Sequence, residues 1–341
     1  MTSTSREQVS STMDDLLKSF PTYTLADLKA FKLDPRNHIM GEGILRKGGS
    51  CLLTGTITGM GKSIMAEQIA ICIAAGVPCF GMKVRGPRKV LMIQAENDEE
   101  FLQRSVVNIT EQVKAKSALV QKNLIIKHVP GLSEGQFGDF LHACVKIHKP
   151  DLVVIDPYQS YVGSVDMNTT TSFLSWKGPV EYVLQHYNCA LLLVAHGPRP
   201  RDKVDWSPRE GIYQQMGTST LSNWVRSGFE LLPVKGDLKR FRLHFSKNAE
   251  LNGLESHGEV IRELFLEHSG DFKKPYWKLS EKQASAKKVD TGEMVRLVKK
   301  KHPDWSQAAI AKHLHLGKTT VKYHLSKKLE GALKETNGKK K

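Results

Sequence analysis

Five short apolar runs punctuate the first two thirds of the chain: "SCLLTG" at 50–55, "KVLMIQA" at 89–95, "LIIKHV" at 124–129, "DLVVID" at 151–156 and "ALLLVA" at 190–195. Each is continuous rather than alternating, which suits parallel strands buried on both faces. Helical stretches separate them, so the pattern predicts an α/β fold: a doubly wound, mostly parallel sheet with helices on both faces. Two further runs, "FELLPV" (229–234) and "KRFRLHFSK" (239–247), are joined through "KGDL" and predict an antiparallel hairpin that finishes the sheet. Upstream, "STMDDLLKSF" (11–20) predicts a short helix. Ser11 or Thr12 caps it, Asp14 and Asp15 suit its first turn, and Leu16, Leu17 and Phe20 form its apolar face.

Periodicity changes near the C-terminus. After a polar linker at 278–290, the segment 291–331 reads as three short helices, and residues 332–341 form a basic tail. "GEMVRLVKKKHP" is the first helix. In the second, Ser306 is the cap and Ala309, Ile310 and Leu314 face inward. "HLG" makes a turn around Leu316 and Gly317. The third starts at Lys318, buries Val321 and Leu325, and exposes Lys318, Thr319, Thr320, Lys322 and Tyr323. This spacing predicts a helix-turn-helix module whose last helix contacts the DNA major groove. The small modules of bacterial regulators are similar to it. Residues 1–33 are read as an N-terminal arm and 34–277 as the main domain.

Charge sharpens that picture. The chain carries a formal +15, and residues 282–341, with 16 Lys/Arg against 5 Asp/Glu, hold +11 of it. A positive field concentrated in one short segment attracts polyanions, nucleic acid above all. The longest apolar run, 69–80, is interrupted by Gly76 and Pro78 and falls short of the roughly 20 residues a membrane helix needs. The N-terminus is polar, so the expected location is cytoplasmic, with no membrane partner. Five scattered cysteines, several in apolar runs, read as buried thiols.

The candidate chemistry sits after the first strand, in "GTITGMGKS" (55–63). A glycine-rich turn followed by Lys-Ser at a helix start is built to hold phosphate. Backbone N–H groups converge on the anion at the positive end of the helix dipole. The nucleotide-binding run is Thr58, Gly59, Met60, Gly61, Lys62, Ser63 and Ile64. Lys62 reaches the β and γ phosphates and the Ser63 hydroxyl ligates Mg²⁺. The strict pattern has glycine where this chain has Thr56, and Gly55 stands one position earlier, so a reshaped loop entry is expected. Asp156, ending the fourth run, is placed to hold the Mg²⁺ water shell. Glu96, just beyond the second, is placed to activate water, and His196, after the fifth, to sense the γ phosphate.

These pieces together resemble the RecA-like ATPases, and more narrowly the RepA-type and DnaB-type hexameric helicase branch, an AAA_25-like set. The resemblance covers residues 38–267. It rests on "GTITGMGKS", "IQAEND", "LVVIDPYQSYVGSVDMN", "LLLVAHG", "MGTSTLSNWVRSGFELLPV" and "LHFSKNAELNG". It implies a RecA-like sheet, Glu96 as catalytic base, Arg226 as an arginine finger reaching a neighbour's nucleotide, and Lys247 as a second residue acting in trans. The chain departs from the branch at Gly197 and Ala249, where a polar residue and an arginine are common. The resemblance further implies a homo-oligomer, a hexameric ring, in which the loop 197–211 faces the central channel. There Arg199, Arg201, Lys203 and Arg209, with Trp206, suit single-stranded DNA. The expected function is an ATP- and Mg²⁺-dependent hydrolase and DNA helicase of the plasmid or phage replication type, with single- and double-stranded DNA as partners. Two alternatives stand beside it: an ATP-controlled DNA-bound regulator, and a recombination-type filament mediator.

Overall fold

The computed structural model describes residues 22–55, 59, 61–132, 134–162, 170–196, 219–234, 237–269, 271, 273–281, 295–296, 298–300, 302–314 and 316–326. The chain divides into two compact units, Met1–Leu279 and Ser280–Lys341. The helix expected at 11–20 lies outside the described residues. A different short helix, α1 (Leu25–Ala30), is present, closed at its start by a reciprocal Thr24–Asp27 capping box.

The first unit is built on a nine-stranded sheet. Its strands are β1 (Ser50–Gly55), β2 (Val90–Gln94), β3 (Leu124–His128), β4 (Leu152–Asp156), β5 (Ala190–His196), β6 (Ser227–Val234), β7 (Asp237–Lys247), β8 (Glu263–His268) and β9 (Trp277–Leu279). Across the sheet they run β9-β8-β7-β6-β1-β5-β4-β2-β3. From β6 to β3 every pairing is parallel, and from β6 to β9 every pairing is antiparallel. The five apolar runs each became a strand, to within a residue at either end. The hairpin is there too, as β6 and β7.

The helices are α2 (Lys62–Ala75), α3 (Glu99–Gln112), α4 (Ser117–Asn123), α5 (Glu134–His148), α6 (Thr170–His186) and α7 (Ser219–Trp224). They divide between the two faces of the sheet. One core joins α2 to alternate strand residues such as Leu53, Met92, Val154, Leu192 and Phe229. The other joins α5 and α6 to Leu52, Leu91, Val153 and Leu193. Helix α2 is buried from Ile64 to Ala75 on all sides, which explains why it shows no polar stripe. All five cysteines are free and buried, as expected. Among the described residues, no helix is long and apolar enough to cross a membrane.

One boundary differs from expectation. Lys278 and Leu279, placed in the linker by their polar neighbourhood, complete β9, which pairs with β8 through His268–Trp277. The reason is Trp277. Its side chain is buried, its backbone N–H donates to the Gln68 Oε1 at 2.8 Å, and the Gln68 amide donates back to its carbonyl at 2.8 Å. A helix side chain thus holds an edge strand in place, an arrangement that strand patterning does not report.

In the second unit, α8 (Gln307–His313) starts at Ser306, whose hydroxyl accepts from the Ala309 N–H at 3.1 Å. Residues 295–296, 298–300 and 318–326 are also helical. The small core comprises Val295, Ile310, Ala311 and Val321. Ala309, expected inward, is only half-buried, and Ala311, on the other flank of Ile310, is buried with it in the small core. Lys299 closes the segment before α8 by donating to the carbonyls of Pro303 at 2.7 Å and Trp305 at 2.8 Å.

Two outcomes are expected of this fold. Trp277→Ala is expected to cost about 3–5 kcal/mol in denaturant unfolding, as large aromatic truncations in cores do, and Trp277→Phe about 1–2 kcal/mol. Glu230 is buried on β6, and burial pushes its carboxyl up to about 7, above the ordinary carboxylate value. The folded state then holds a proton that the unfolded state releases. Its contribution is full at acid pH below the unfolded value and is lost as pH rises through about 7. Glu230→Gln should therefore flatten the fall in stability over that window, measured by thermal unfolding at a series of pH values.

Candidate functional site

Register alone gathers the chemistry. At the carboxyl ends of the parallel strands, Gly55 of β1 lies beside His196 of β5, and Gln94 of β2 lies beside Asp156 of β4. Loops leaving these ends therefore open onto one edge, the place where α/β sheets hold ligands. Thr56, Ile57, Thr58 and Met60 lie outside the described residues. Gly59 and Gly61 both have positive φ, 77° and 82°, a backbone state that costs glycine nothing. Gly61 is the N-cap of α2 and has no side chain to bond the helix's first N–H groups, so those donors remain for an anion. A Cβ on Gly61 would press on Trp277 at 3.1 Å and His268 at 3.2 Å. The Trp277 indole N–H donates to the Gly61 carbonyl at 2.9 Å, so the β9 anchor also fixes the loop's exit.

Charge is concentrated and dry at this edge. The Lys62 side chain is buried, and loss of water pulls its ammonium below the ordinary lysine value, against the opposing pull of Asp156 and Glu96. Burial drives the Asp156 carboxyl up to about 6; Glu96 pushes the same way, while a hydrogen bond from Ser63 and the charge of Lys62 hold it down. Ser63 and Asp156, the two expected Mg²⁺ ligands, are thus in contact. Ile64 is buried behind them. Among the described residues no cluster of three or more His, Cys, Asp or Glu could hold a metal by itself. That donor set fits Mg²⁺ brought in with a triphosphate, where one hydroxyl and one carboxylate suffice and phosphate oxygens and water supply the rest. Bound there, the ion would neutralise charge developing on the phosphates.

Glu96 is exposed on the turn after β2, with Oε1 3.5 Å from His196 Nε2. The turn is held by neighbours. The Gln94 amide donates to the Asn97 carbonyl at 2.8 Å and accepts the Asn97 N–H at 2.8 Å. The His196 backbone is held by Gln159, which accepts its N–H at 3.2 Å and donates to its carbonyl at 3.3 Å. Gln159 was not singled out from the sequence; its position in the turn after Asp156 was the available signal. Two further groups went unnoticed. Among the described residues the buried Tyr161 hydroxyl has no hydrogen-bond partner, and burial together with Asp156 and Glu96 raises it. Glu67 lies one turn beyond Ser63 on α2, and burial takes its carboxyl up to about 8.

Arg226 and Lys247 were expected to act on a neighbour's nucleotide, and the structure places both away from their own phosphate loop. Arg226 donates its N–H to the Ser50 carbonyl at 2.8 Å, and Lys247 pairs with Gly228, so both lie at the opposite end of β1 and β6 from the phosphate loop. The Lys247 ammonium donates to the carbonyls of Ser222 at 2.9 Å and Asn223 at 3.3 Å, closing the end of α7. Arg199, Arg201, Lys203 and Arg209 lie outside the described residues. In the second unit Lys318, Thr319, Lys322 and Tyr323 are exposed, whereas Thr320, expected among them, is half-buried next to Val321.

The profile of a protein family described as an AAA domain matches residues 15–202. This span is more than half of the chain, takes in the phosphate loop, Glu96, Asp156 and His196, and shows that the chain belongs to that family of P-loop ATPases. Family membership implies nucleotide binding, which P-loop ATPases couple to Mg²⁺. No curated protein matches the chain.

Gln159 supplies a test of the site. Gln159→Leu removes both bonds to His196 and should lower ATP turnover about tenfold or more at nearly unchanged nucleotide affinity, as loss of a supporting shell does. Steady-state phosphate release alongside fluorescent-nucleotide binding measures the two separately.

Proposed function

We propose that this protein is an ATP-driven, ring-forming motor on DNA, of the kind that opens duplexes in plasmid or phage replication. The observation that carries the reading is the meeting of Lys62, Ser63, Asp156, Glu96 and His196 at one sheet edge. Lys62 and the loop amides hold the triphosphate, and Ser63 and Asp156 place Mg²⁺. Glu96 takes the proton of the attacking water, and His196, 3.5 Å away, senses whether the γ phosphate is present. Among the described residues, Lys62 is the cation that acts on Asp156 and Glu96 at this edge, and a second cation would stabilise the leaving charge from the far side. Arg226 and Lys247 are remote from their own phosphate loop, which supports a role at the nucleotide of an adjoining copy. The homo-oligomer, read as a hexamer, follows from that division of labour.

DNA contact is assigned to two places: the basic run Arg199, Arg201, Lys203 and Arg209 for a single strand, and the second unit for duplex. Its exposed Lys318, Thr319, Lys322 and Tyr323, with Thr320 at the margin, support a helix-turn-helix reading. Tethering such a module raises the local concentration of DNA at the motor.

That same C-terminal unit favours a second reading, an ATP-controlled regulator that stays at one operator. Single-stranded DNA is expected to stimulate ATP hydrolysis several-fold in the motor. Lys62→Ala should abolish nucleotide binding, and Glu96→Gln should cut turnover by about 10²–10⁴ while binding persists. On a forked substrate the motor separates strands. Hydrolysis without unwinding, combined with a footprint at one sequence, decides for the regulator.

A further inference from the structure

Glu67 is a buried carboxylic acid that the reaction outlined above does not use. It occupies α2, the helix that begins with Lys62 and Ser63, and stands four residues beyond Ser63 on the same side. Its Oε1 accepts from the Asn97 side-chain amide at 3.3 Å, and among the described residues its buried Oε2 has no close hydrogen-bond partner, Ser105 being the other side chain that acts on the carboxyl. Ser105 of α3, also buried, hydrogen-bonds the carboxyl and favours its ionised form, while burial and the negative charge of Asp156 push its pKa up. A group so placed costs stability, since a buried polar atom left unpaired is unfavourable. An apolar residue there would pack α2 as its neighbours Ala66 and Ile69 do.

What Glu67 touches gives it a use. Asn97 directly follows Glu96. Its backbone is already clasped by Gln94 through two 2.8 Å bonds, and its side chain reaches α2 by a hydrogen bond. Asp98, next in line, caps α3 by accepting the Phe101 N–H at 2.7 Å. The turn carrying Glu96 is therefore fixed to β2 by Gln94, to α3 by Asp98, and to the phosphate-binding helix by Glu67. The third link sets where the Glu96 carboxylate stands relative to a phosphate bound at Lys62.

We propose that Glu67 is a positioning residue for ATP hydrolysis, tying the turn that bears Glu96 to the helix that binds the phosphates. The inference rests on the reading of Glu96 as the base. Its action is on alignment, and a displacement of about 1 Å at a reacting group can cost 10²-fold in rate.

Steady-state ATP turnover by the full-length protein with Mg²⁺, together with binding of a fluorescent ATP analogue, tests it. Glu67→Ala should lower kcat about 10- to 100-fold with KM and analogue affinity within about threefold of the parent. Glu67→Gln keeps an oxygen acceptor for Asn97 and should restore turnover to within about threefold. Asn97→Ala alters a turn rather than the core and should reproduce the kcat loss, and the double variant should be no worse than either single one. Should Glu67→Ala fail to bind the analogue, Asn97→Ala decides alone. Normal turnover in a nucleotide-binding Glu67→Ala or in Asn97→Ala, losses that multiply in the double variant, or a Glu67→Gln as impaired as Glu67→Ala would each overturn the proposal. Glu96→Gln run in parallel separates the two levels: if it hydrolyses ATP normally, the base assignment itself fails, whereas its inactivity beside an active Glu67→Ala removes only the positioning role.

Discussion

A lysine and an aspartate buried at the same sheet edge are the constraint on which the site depends. Lys62 has lost most of its water and Asp156 nearly all of it. Burial of each ion alone is costly, and their mutual attraction offsets that cost only in part. Glu96 adds a further negative charge, and Glu67 sits behind with its carboxyl pushed up by burial. Among the described residues the edge is rich in fixed donors: the ammonium, the Ser63 hydroxyl and the open N–H groups of α2. A triphosphate with its divalent cation would offer oxygens to those donors and a positive charge to Asp156.

The rest of the fold serves to hold that edge. Six adjacent parallel strands, β6 through β3, bring Gly55, His196, Asp156 and Gln94 to one side by register, and α2, buried along its length, cannot slide. The antiparallel extension has a part in this as well. Through Trp277, β9 bonds both Gln68 in mid-helix and the Gly61 carbonyl at its start. The strand that closes the first unit is therefore coupled to the phosphate loop, and from it the chain passes directly into the basic second unit.

Much of this was legible from residue patterns, because parallel strands buried on both faces are written as continuous apolar runs and phosphate loops as glycine, lysine and serine in order. Lys62, Ser63, Asp156, Glu96 and His196 follow from strand ends and converge in the structure. The hidden parts are those that depend on tertiary partners. Gln159, Gln94 and Asn97 are ordinary polar residues until the turns they clasp are seen together. Glu67 reads as one polar position in an apolar helix, and only packing shows it is buried. Lys278 and Leu279 look like linker because what makes them strand is Gln68, more than two hundred residues earlier. Arg226 and Lys247 fall at the far end of β6 and β7, a fact set by strand direction that the motif around them does not carry.

Titrating a slowly hydrolysed ATP analogue into the purified protein, once with Mg²⁺ and once with chelator, tests the central claim most directly. With Ser63 and Asp156 as the cation's seat, affinity should fall tenfold or more when Mg²⁺ is removed, a loss of about 1.4 kcal/mol or greater. Equal affinity in the two titrations, or no binding in either, would contradict it.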